Sequence, residues 1–312
     1  MADVDTLHTK HRPQTFDEVV GHESVVRSVK AVLKKGLSRA FLFTGPAGVG
    51  KTTFARLIAK EVGCTPADLL EIDAATNTGI DDMRAATATL MYRPLGPGGV
   101  KAVIVDEVHG LSKQAFQSLL KVLEEPPPHV FWFLCTTDAA KVPETIKSRC
   151  AAYDLKPLPS KVLGELFDRV ADAEKMKTPG DVGDLIIRES HGSPRQLLVN
   201  MSVAGDARTK TEAAELLKTA AESTEAIDLA RALIKHARWG EIQDLLNAFK
   251  DTNPESVRHV VRAYVTKVIL GAKSEEQAGQ AMEILDAFST PFPSSDGISP
   301  LVMACGRVIF HG

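Results

Sequence analysis

The sequence predicts an α/β domain with a parallel sheet, followed by a small helical domain and an all-α C-terminal domain. Three observations lead to this fold class. Short apolar segments alternate with helical periodicity in the first half of the chain. A glycine-rich loop follows the first of these segments at residues 45–50. Strand patterns fade after about residue 156, and helical spacing continues from there.

Five short segments are the candidate strands, and all are apolar without clear alternation: 40–44, 69–72, 102–106, 130–135 and, as the weakest candidate, 152–155. Continuous apolar strands are typical of a parallel sheet that is covered on both faces. We therefore expect a buried sheet with helices on each side.

Helices are predicted between and after the strands. Segment 53–62 has apolar residues at helical spacing, and Ser112 is a favourable N-cap for a second helix. That helix is expected to end at prolines 126–128, because proline interrupts the helical hydrogen-bond ladder. Apolar stripes at 242–249 and 257–268 predict further helices in the last part of the chain.

The chain length of 312 residues allows two or three domains. We predict an α/β domain over 1–158, a small helical domain over 159–221 and a terminal helical domain over 222–312. These borders follow the loss of strand patterns near a proline-rich hinge at 156–160.

Composition excludes several classes of protein. Hydrophobic residues make up 44% and charged residues 25% of the chain, which argues against a disordered chain or a coiled-coil rod. The net charge of −3 argues against a protein that coats DNA, although a local basic surface stays possible. Cysteines 64, 135, 150 and 305 form no CxxC pair, so neither zinc nor disulfides are expected. No membrane segment is expected, and the unpaired cysteines fit a reducing cytoplasm.

Residues 45–52 (GPAGVGKT) match the phosphate-binding pattern GxxxxGK[ST] between a predicted strand and a predicted helix. Backbone N–H groups of such a loop surround phosphates, and the helix N-terminus adds positive potential. We expect Lys51 to contact the β- and γ-phosphates of ATP and the Thr52 hydroxyl to coordinate Mg²⁺. The nucleotide-binding residues predicted in this segment are Gly48, Val49, Gly50, Lys51, Thr52 and Thr53.

Two carboxylates follow the apolar strand 102–106. Because strand ends of a parallel sheet meet at one edge, Asp106 and Glu107 are expected beside the phosphate loop. Asp106 is predicted to hold the Mg²⁺ shell, and Glu107 to act as general base for the attacking water. The alternative, a solvated Asp-Glu pair at a strand end, is common for such a pair alone but is disfavoured by the loop upstream.

The chain resembles the AAA+ ATPase subunits of DNA polymerase clamp loaders. The resemblance lies in HRPQTFDEVVGHESVV (11–26), LFTGPAGVGKTTFARLIAKEVGC (42–64), LLEIDAATNTGIDDMR (69–84) and the long segment 100–150, which contains DEVH and ends in SRC. It is similar to the bacterial polymerase III gamma/tau subunits, and also to phage large subunits and replication factor C small subunits. The likeness is dense over about residues 10–200 and only architectural after about 225.

The resemblance implies further contacts to the nucleotide. Lys10, His11 and Val20 match the N-terminal segment that packs around adenine in this family. Thr137 occupies the sensor position at the end of the fourth strand, with Thr136 as the close alternative. Arg195 matches the second sensor, which reaches the γ-phosphate from the helical lid formed by the second domain.

The resemblance also implies that Arg149, in SRC, is an arginine finger that enters the ATP site of a neighbouring subunit. One departure concerns zinc. Gamma/tau subunits carry a four-cysteine zinc module after the phosphate-loop helix, whereas here Cys64 runs directly into Thr-Pro-Ala-Asp. We therefore expect no zinc in this chain.

For DNA, clamp-loader subunits contact mainly phosphates of the primer–template, which requires only a few cations and helix N-termini. The candidate DNA-binding residues are Asn77, Thr78, Arg84 and Lys113. An ordinary capped helix with a solvated arginine is an equally good interpretation of this segment. The third domain matches the collar that joins subunits, although the same apolar stripes would suit a monomeric helical core.

The function implied by the resemblance is that of a clamp-loader ATPase, stimulated by DNA and by the sliding clamp. Its expected partners are other clamp-loader subunits in a pentamer, the clamp, primer–template DNA and, indirectly, the replicative polymerase. One alternative is another AAA+ motor, against which SRC at 148–150 argues. Another is a structural subunit without hydrolysis, against which the intact Lys51 and Asp106-Glu107 argue.

Overall fold

The computed structural model describes residues 6–74, 88, 90, 92–250, 252–272, 274–293 and 297–311. The chain forms two compact units, residues 1–210 and 211–312. The predicted borders after residues 158 and 221 fall inside these units, so the division into three domains stays a prediction.

The first unit contains a five-stranded parallel sheet, which confirms the predicted α/β class. Its strands are β1 (Ala40–Thr44), β2 (Leu69–Asp73), β3 (Lys101–Asp106), β4 (Val130–Thr136) and β5 (Ala151–Asp154). The order across the sheet is β2-β3-β4-β1-β5. All neighbouring strands are parallel, and the register pairs Asp73 with Asp106 and Thr44 with Thr136. The carboxyl ends of the five parallel strands therefore lie along one edge of the sheet.

Both faces of the sheet are buried, and this explains the continuous apolar strands. Leu42 and Val103 pack into the core on one face, whereas Phe41, Phe43 and Ile104 pack into the core on the other. Because successive strand residues point to opposite faces, two covered faces require an apolar residue at every position.

Eight helices of the first unit lie in the described ranges: α1 (Leu7–Lys10), α2 (Glu23–Lys35), α3 (Lys51–Glu61), α4 (Lys113–Glu124), α5 (Glu144–Lys147), α6 (Ser160–Glu174), α7 (Gly180–Arg188) and α8 (Pro194–Ala204). The predicted cap of α4 is present, because the Ser112 hydroxyl accepts a hydrogen bond from the backbone N–H of Ala115 at 3.2 Å. The helix ends at Glu124, before the three prolines.

The second unit is helical, as predicted. Its helices are α9 (Lys210–Ile234), α10 (Trp239–Asn247), α11 (Pro254–Leu270), α12 (Glu275–Ala287) and α13 (Ser299–His311). The two predicted apolar stripes enter one core, in which Ile242, Phe249 and Val261 are buried. None of the helices in the described ranges is long and apolar enough to cross a lipid bilayer.

Arg258 is a buried charge within the second unit and is neutralised by Glu255 one turn earlier on α11. Its guanidinium donates to both carboxylate oxygens of Glu255 at 2.7 and 2.6 Å, and to the Phe288 carbonyl at 3.1 Å. The hydrogen bonds from Arg258 lower the pKa of Glu255 to about 2. This pair joins α11 to the end of α12.

Candidate active site

The loop between β1 and α3 requires glycine at defined positions. Gly45, Gly48 and Gly50 have φ values of +135°, +75° and +110°, which other residues rarely adopt. A Cβ atom on Gly45 would lie 2.2 Å from the Leu155 carbonyl oxygen. A Cβ atom on Gly48 would lie 2.2 Å from the Ser193 hydroxyl. The glycines thus serve both the backbone conformation and the close approach of neighbouring segments.

Lys51 is the first residue of α3, and its side chain turns back into the loop. Its ammonium donates to the carbonyl oxygens of Gly45 at 2.9 Å and Pro46 at 2.8 Å. Burial lowers the pKa of Lys51, and the nearby Glu107 and Asp106 carboxylates oppose that shift. The structure therefore holds a buried cation inside the loop, where an anionic group would compensate its desolvation.

Thr52 and Asp106 come together across the edge of the sheet. The Thr52 hydroxyl donates to Asp106 Oδ2 at 2.7 Å, and the backbone N–H of Glu107 donates to Asp106 Oδ1 at 3.0 Å. Asp73 lies beside Asp106 in the register of β2 and β3. Hydroxyl and carboxylate oxygens are the ligands that Mg²⁺ prefers, so the donor set fits this ion.

Glu107 follows β3 with a left-handed backbone conformation, φ +47°. Its Oε2 accepts hydrogen bonds from the Thr137 backbone N–H at 3.2 Å and from the Thr137 hydroxyl at 2.9 Å. The predicted sensor residue is therefore in direct contact with the predicted general base. Thr136, the alternative sensor, is fully buried instead.

A cavity of about 560 Å³ lies over the phosphate loop and the ends of β2 and β3. The predicted residues that line it are His11, Val20, Gly48, Val49, Gly50, Lys51, Thr52, Thr53, Asp106, Glu107 and Arg195. Its volume is in the range of cofactor pockets. Its lining is cationic beside the glycine loop and acidic at the strand ends, as a complex of a phosphate and a divalent cation requires.

Arg195 reaches this cavity from α8. Its backbone N–H donates to the Gly48 carbonyl at 3.3 Å, and its side chain lies on the cavity wall. The helix is capped by the Ser193 hydroxyl, which accepts from the Gln196 N–H at 3.2 Å. The start of α8 thus packs directly on the glycine loop.

Lys10 and His11 of the N-terminal arm differ in their position relative to the cavity. His11 lines the cavity, and its Nε2 lies 2.5 Å from Glu174 Oε1 on α6. Lys10 does not line the cavity, because its ammonium pairs with the same Glu174 at 2.8 Å. The contact of Lys10 with a nucleotide stays a prediction, and in this structure the residue joins the arm to α6.

Comparison with known proteins identifies the relatives of this chain. Residues 67–159 match the sequence model of the family described as "DNA polymerase III, delta subunit". The DNA polymerase III subunit tau of Escherichia coli is 35% identical over an alignment of 266 positions, which covers 77% of this chain and 41% of that protein. The gamma/tau subunit of Mycobacterium tuberculosis is 33% identical and is matched over 78% of this chain and 48% of its own length.

The chain is similar to the gamma/tau subunits of DNA polymerase III. It spans less than half the length of the two curated relatives above. Among solved structures, the RuvB Holliday junction branch migration motor of Thermotoga maritima has a TM-score of 0.56 at 20% identity. That match covers 72% of this chain and 79% of the motor. At this identity the likeness concerns the AAA+ fold alone.

Arg149, which matches the arginine finger of the clamp-loader family, does not line the cavity of its own chain. Its guanidinium donates to the Thr145 carbonyl at 2.7 Å and to Glu124 Oε1 at 2.6 Å. The side chain is partly exposed. The role of Arg149 as an arginine finger stays a prediction.

The DNA-binding candidates of this clamp-loader relative are only partly described. Asn77, Thr78 and Arg84 lie outside the described residues. Lys113 is exposed at the start of α4. Its role in DNA binding stays a prediction.

The charged cavity residues that were not predicted from the sequence include Arg56, Glu71 and Arg169. Arg56 on α3 donates to both carboxylate oxygens of Glu71 on β2, at 2.7 and 2.5 Å. Arg169 enters the wall from α6 and donates to the Glu18 carbonyl at 3.0 Å. Arg56 follows Thr52 by four residues, so helical spacing could have placed it on the same face. No local pattern marks Glu71 or Arg169.

Proposed function

We propose that this chain is an ATPase subunit of a sliding-clamp loader. The observation that carries the proposal is the convergence of Lys51, Thr52, Asp106 and Glu107 on one cavity, while Arg149 lies outside it. In this arrangement a subunit binds ATP by itself and completes its hydrolytic site with a residue from its neighbour.

ATP binding uses the loop and the lid. The loop N–H groups and Lys51 bind the phosphates, since they supply positive charge in a partly buried site. Thr52 and Asp106 would hold Mg²⁺, which neutralises phosphate charge when it is bound. Arg195 contacts the γ-phosphate from α8, and His11 and Val20 lie against the base. Because α8 packs on Gly48, nucleotide binding is expected to move the lid as a rigid body.

Hydrolysis requires an oriented water beside the γ-phosphate. The oxygen of this water forms a bond to the γ-phosphorus, and Glu107 accepts the proton that the water loses. The bond between the γ-phosphorus and the bridging oxygen of the β-phosphate breaks at the same time. Thr137 supports this role, because it donates two hydrogen bonds to the Glu107 carboxylate. Arg149 of the adjacent subunit supplies positive charge to the transferred phosphoryl group, for which its planar guanidinium is suited.

The proposed partners follow from the family. The chain would assemble with other clamp-loader subunits into a pentamer through the helices of residues 222–312, in the cytoplasm. ATP binding would open the clamp and bind primer–template DNA, and hydrolysis would release the clamp for the replicative polymerase. Asn77, Thr78, Arg84 and Lys113 are the proposed DNA contacts. Zinc is not expected to take part.

The test is ATP hydrolysis by the full chain, with and without co-expressed partner subunits, sliding clamp and primed DNA. Stimulation by clamp and DNA together, well beyond the sum of each alone, would support the proposal. A rate that is indifferent to the clamp but accompanied by branch migration would favour another AAA+ motor. The Lys51→Ala variant is the control, because it removes the phosphate-binding cation.

A further inference from the structure

His109 lies on the short turn Val108–Gly110 that follows Glu107. The turn is anchored by the fully buried Val108 and by the backbone hydrogen bond from Gly110 to the Glu107 carbonyl at 2.8 Å. The imidazole Nδ1 lies 3.3 Å from Glu107 Oε2 and 3.0 Å from the Thr136 hydroxyl. The histidine is therefore in contact with both the proposed general base and the end of β4.

The hydrogen bonds of Thr136 decide which proton His109 carries. The Thr136 hydroxyl donates to the Asp138 carbonyl at 3.1 Å and accepts from the Asp138 N–H at 3.0 Å. Because its single proton is used, this hydroxyl can only accept from His109. If only Nε2 carried a proton, the lone pair of Nδ1 would face the Glu107 carboxylate, which is unfavourable because both groups are acceptors. Nδ1 therefore carries the proton and donates toward both oxygens.

Three donor groups then converge on one carboxylate oxygen. Glu107 Oε2 is reached by the Thr137 N–H, the Thr137 hydroxyl and His109 Nδ1, at 3.2, 2.9 and 3.3 Å. Oε1 takes part in none of these three contacts. Since Glu107 also has a left-handed backbone, its orientation must be set by surrounding contacts.

We propose that His109 is a positioning residue for hydrolysis. Its imidazole connects Thr136, at the end of β4, to the carboxylate of Glu107. This contact holds Oε2 in place, so that Oε1 faces the water. The inference rests on the proposed role of Glu107 as general base. Thr137 supplies the other donors, so loss of His109 alone weakens the orientation of the carboxylate without releasing it completely.

The test compares His109→Leu with His109→Asn in the full chain. The two side chains have nearly the same shape, but only asparagine can place an N–H donor near the Nδ1 position. Single-turnover ATP hydrolysis with Mg²⁺, partner subunits, clamp and primed DNA is measured together with ATP affinity and melting temperature. We expect His109→Leu to slow hydrolysis by about tenfold at unchanged ATP affinity, the effect of losing one hydrogen bond to a charged group.

His109→Asn should recover most of the rate of hydrolysis. If the role of His109 is purely structural, both variants should lose rate and melting temperature together, and that result would overturn the inference. The same two changes are made in a Glu107→Gln background. If His109 acts through Glu107, His109→Leu should have almost no further effect there. Full activity of His109→Leu, with hydrolysis strongly slowed but still measurable in Glu107→Gln, would overturn the inference alone. Wild-type hydrolysis by Glu107→Gln would overturn the proposed function as well.

Discussion

Replacing Gly48 by alanine tests whether α8 rests on the phosphate loop. The substitution has two costs that the structure separates. The left-handed φ of +75° costs about 1–2 kcal/mol for a residue with a Cβ. The added Cβ would also lie 2.2 Å from the Ser193 hydroxyl and 3.0 Å from Arg195 Cβ, and such overpacking costs about 1–3 kcal/mol.

Gly36→Ala is the matched control for the first cost. Gly36 has a similar φ of +62°, but no atom lies within 4 Å of its would-be Cβ. The difference between the two variants therefore isolates the contact with α8, about 1–3 kcal/mol. If α8 stays in place, this energy is lost from the stability of the first unit. If α8 moves away, it is lost from nucleotide binding, and the nucleotide affinity falls by about 5- to 150-fold.

The assay is thermal unfolding of the full chain, together with equilibrium binding of a fluorescent ATP analogue, for both variants. Each kcal/mol lowers the melting temperature of a unit of this size by roughly 2–4 °C. Ser193→Ala in the Gly48→Ala background should recover part of the loss, measured against Ser193→Ala alone because Ser193 also caps α8. If Gly48→Ala matches Gly36→Ala in both stability and nucleotide affinity, the loop and α8 are not packed as described.

Three further predictions concern the hydrolytic site and the second unit. Arg149→Ala should retain ATP binding but lose DNA-stimulated hydrolysis by about 10³-fold, and unchanged stimulated turnover would refute an arginine finger in trans. Thr52→Val should raise the Mg²⁺ concentration needed for half-maximal hydrolysis by about tenfold, because a ligand oxygen is lost; an unchanged Mg²⁺ titration would exclude Thr52 as a ligand. Because Arg258 lowers the pKa of Glu255 to about 2, the pair should stabilise the full chain above about pH 4.5 and lose this effect as the pH falls toward 2. Glu255→Gln should flatten that part of the pH dependence of the urea midpoint, and an identical acid profile would show that the pair contributes nothing.

Much of the fold was predictable because its determinants are local in sequence. The parallel sheet follows from continuous apolar strands, and Ser112 caps the predicted helix as its position indicates. The phosphate loop also follows from local spacing, since glycine, lysine and threonine act within one strand–loop–helix unit.

The remaining parts of the site depend on residues that are distant in sequence. Lys10 stays a predicted nucleotide contact, and its pairing with Glu174, which lies 164 positions away, follows no local pattern. Arg169 and Glu71 belong to no local motif, and they become cavity residues only because α6 and β2 border the cavity. A free energy that depends on the packing of separate elements cannot be derived from the spacing of neighbouring residues.

The sequence by itself therefore determined which residues are candidates for the chemistry: a predicted phosphate-binding loop, Thr52 and Asp106 as proposed Mg²⁺ ligands, and an acidic residue beside them. Those roles depend on residue type and short spacing, which the chain carries explicitly. Only the tertiary structure decided which oxygen of Glu107 is held, because its donor Thr137 lies 30 positions away at the end of another strand. The register between β3 and β4 brings these strand ends together, and hydrogen bonding then selects the orientation of the carboxylate.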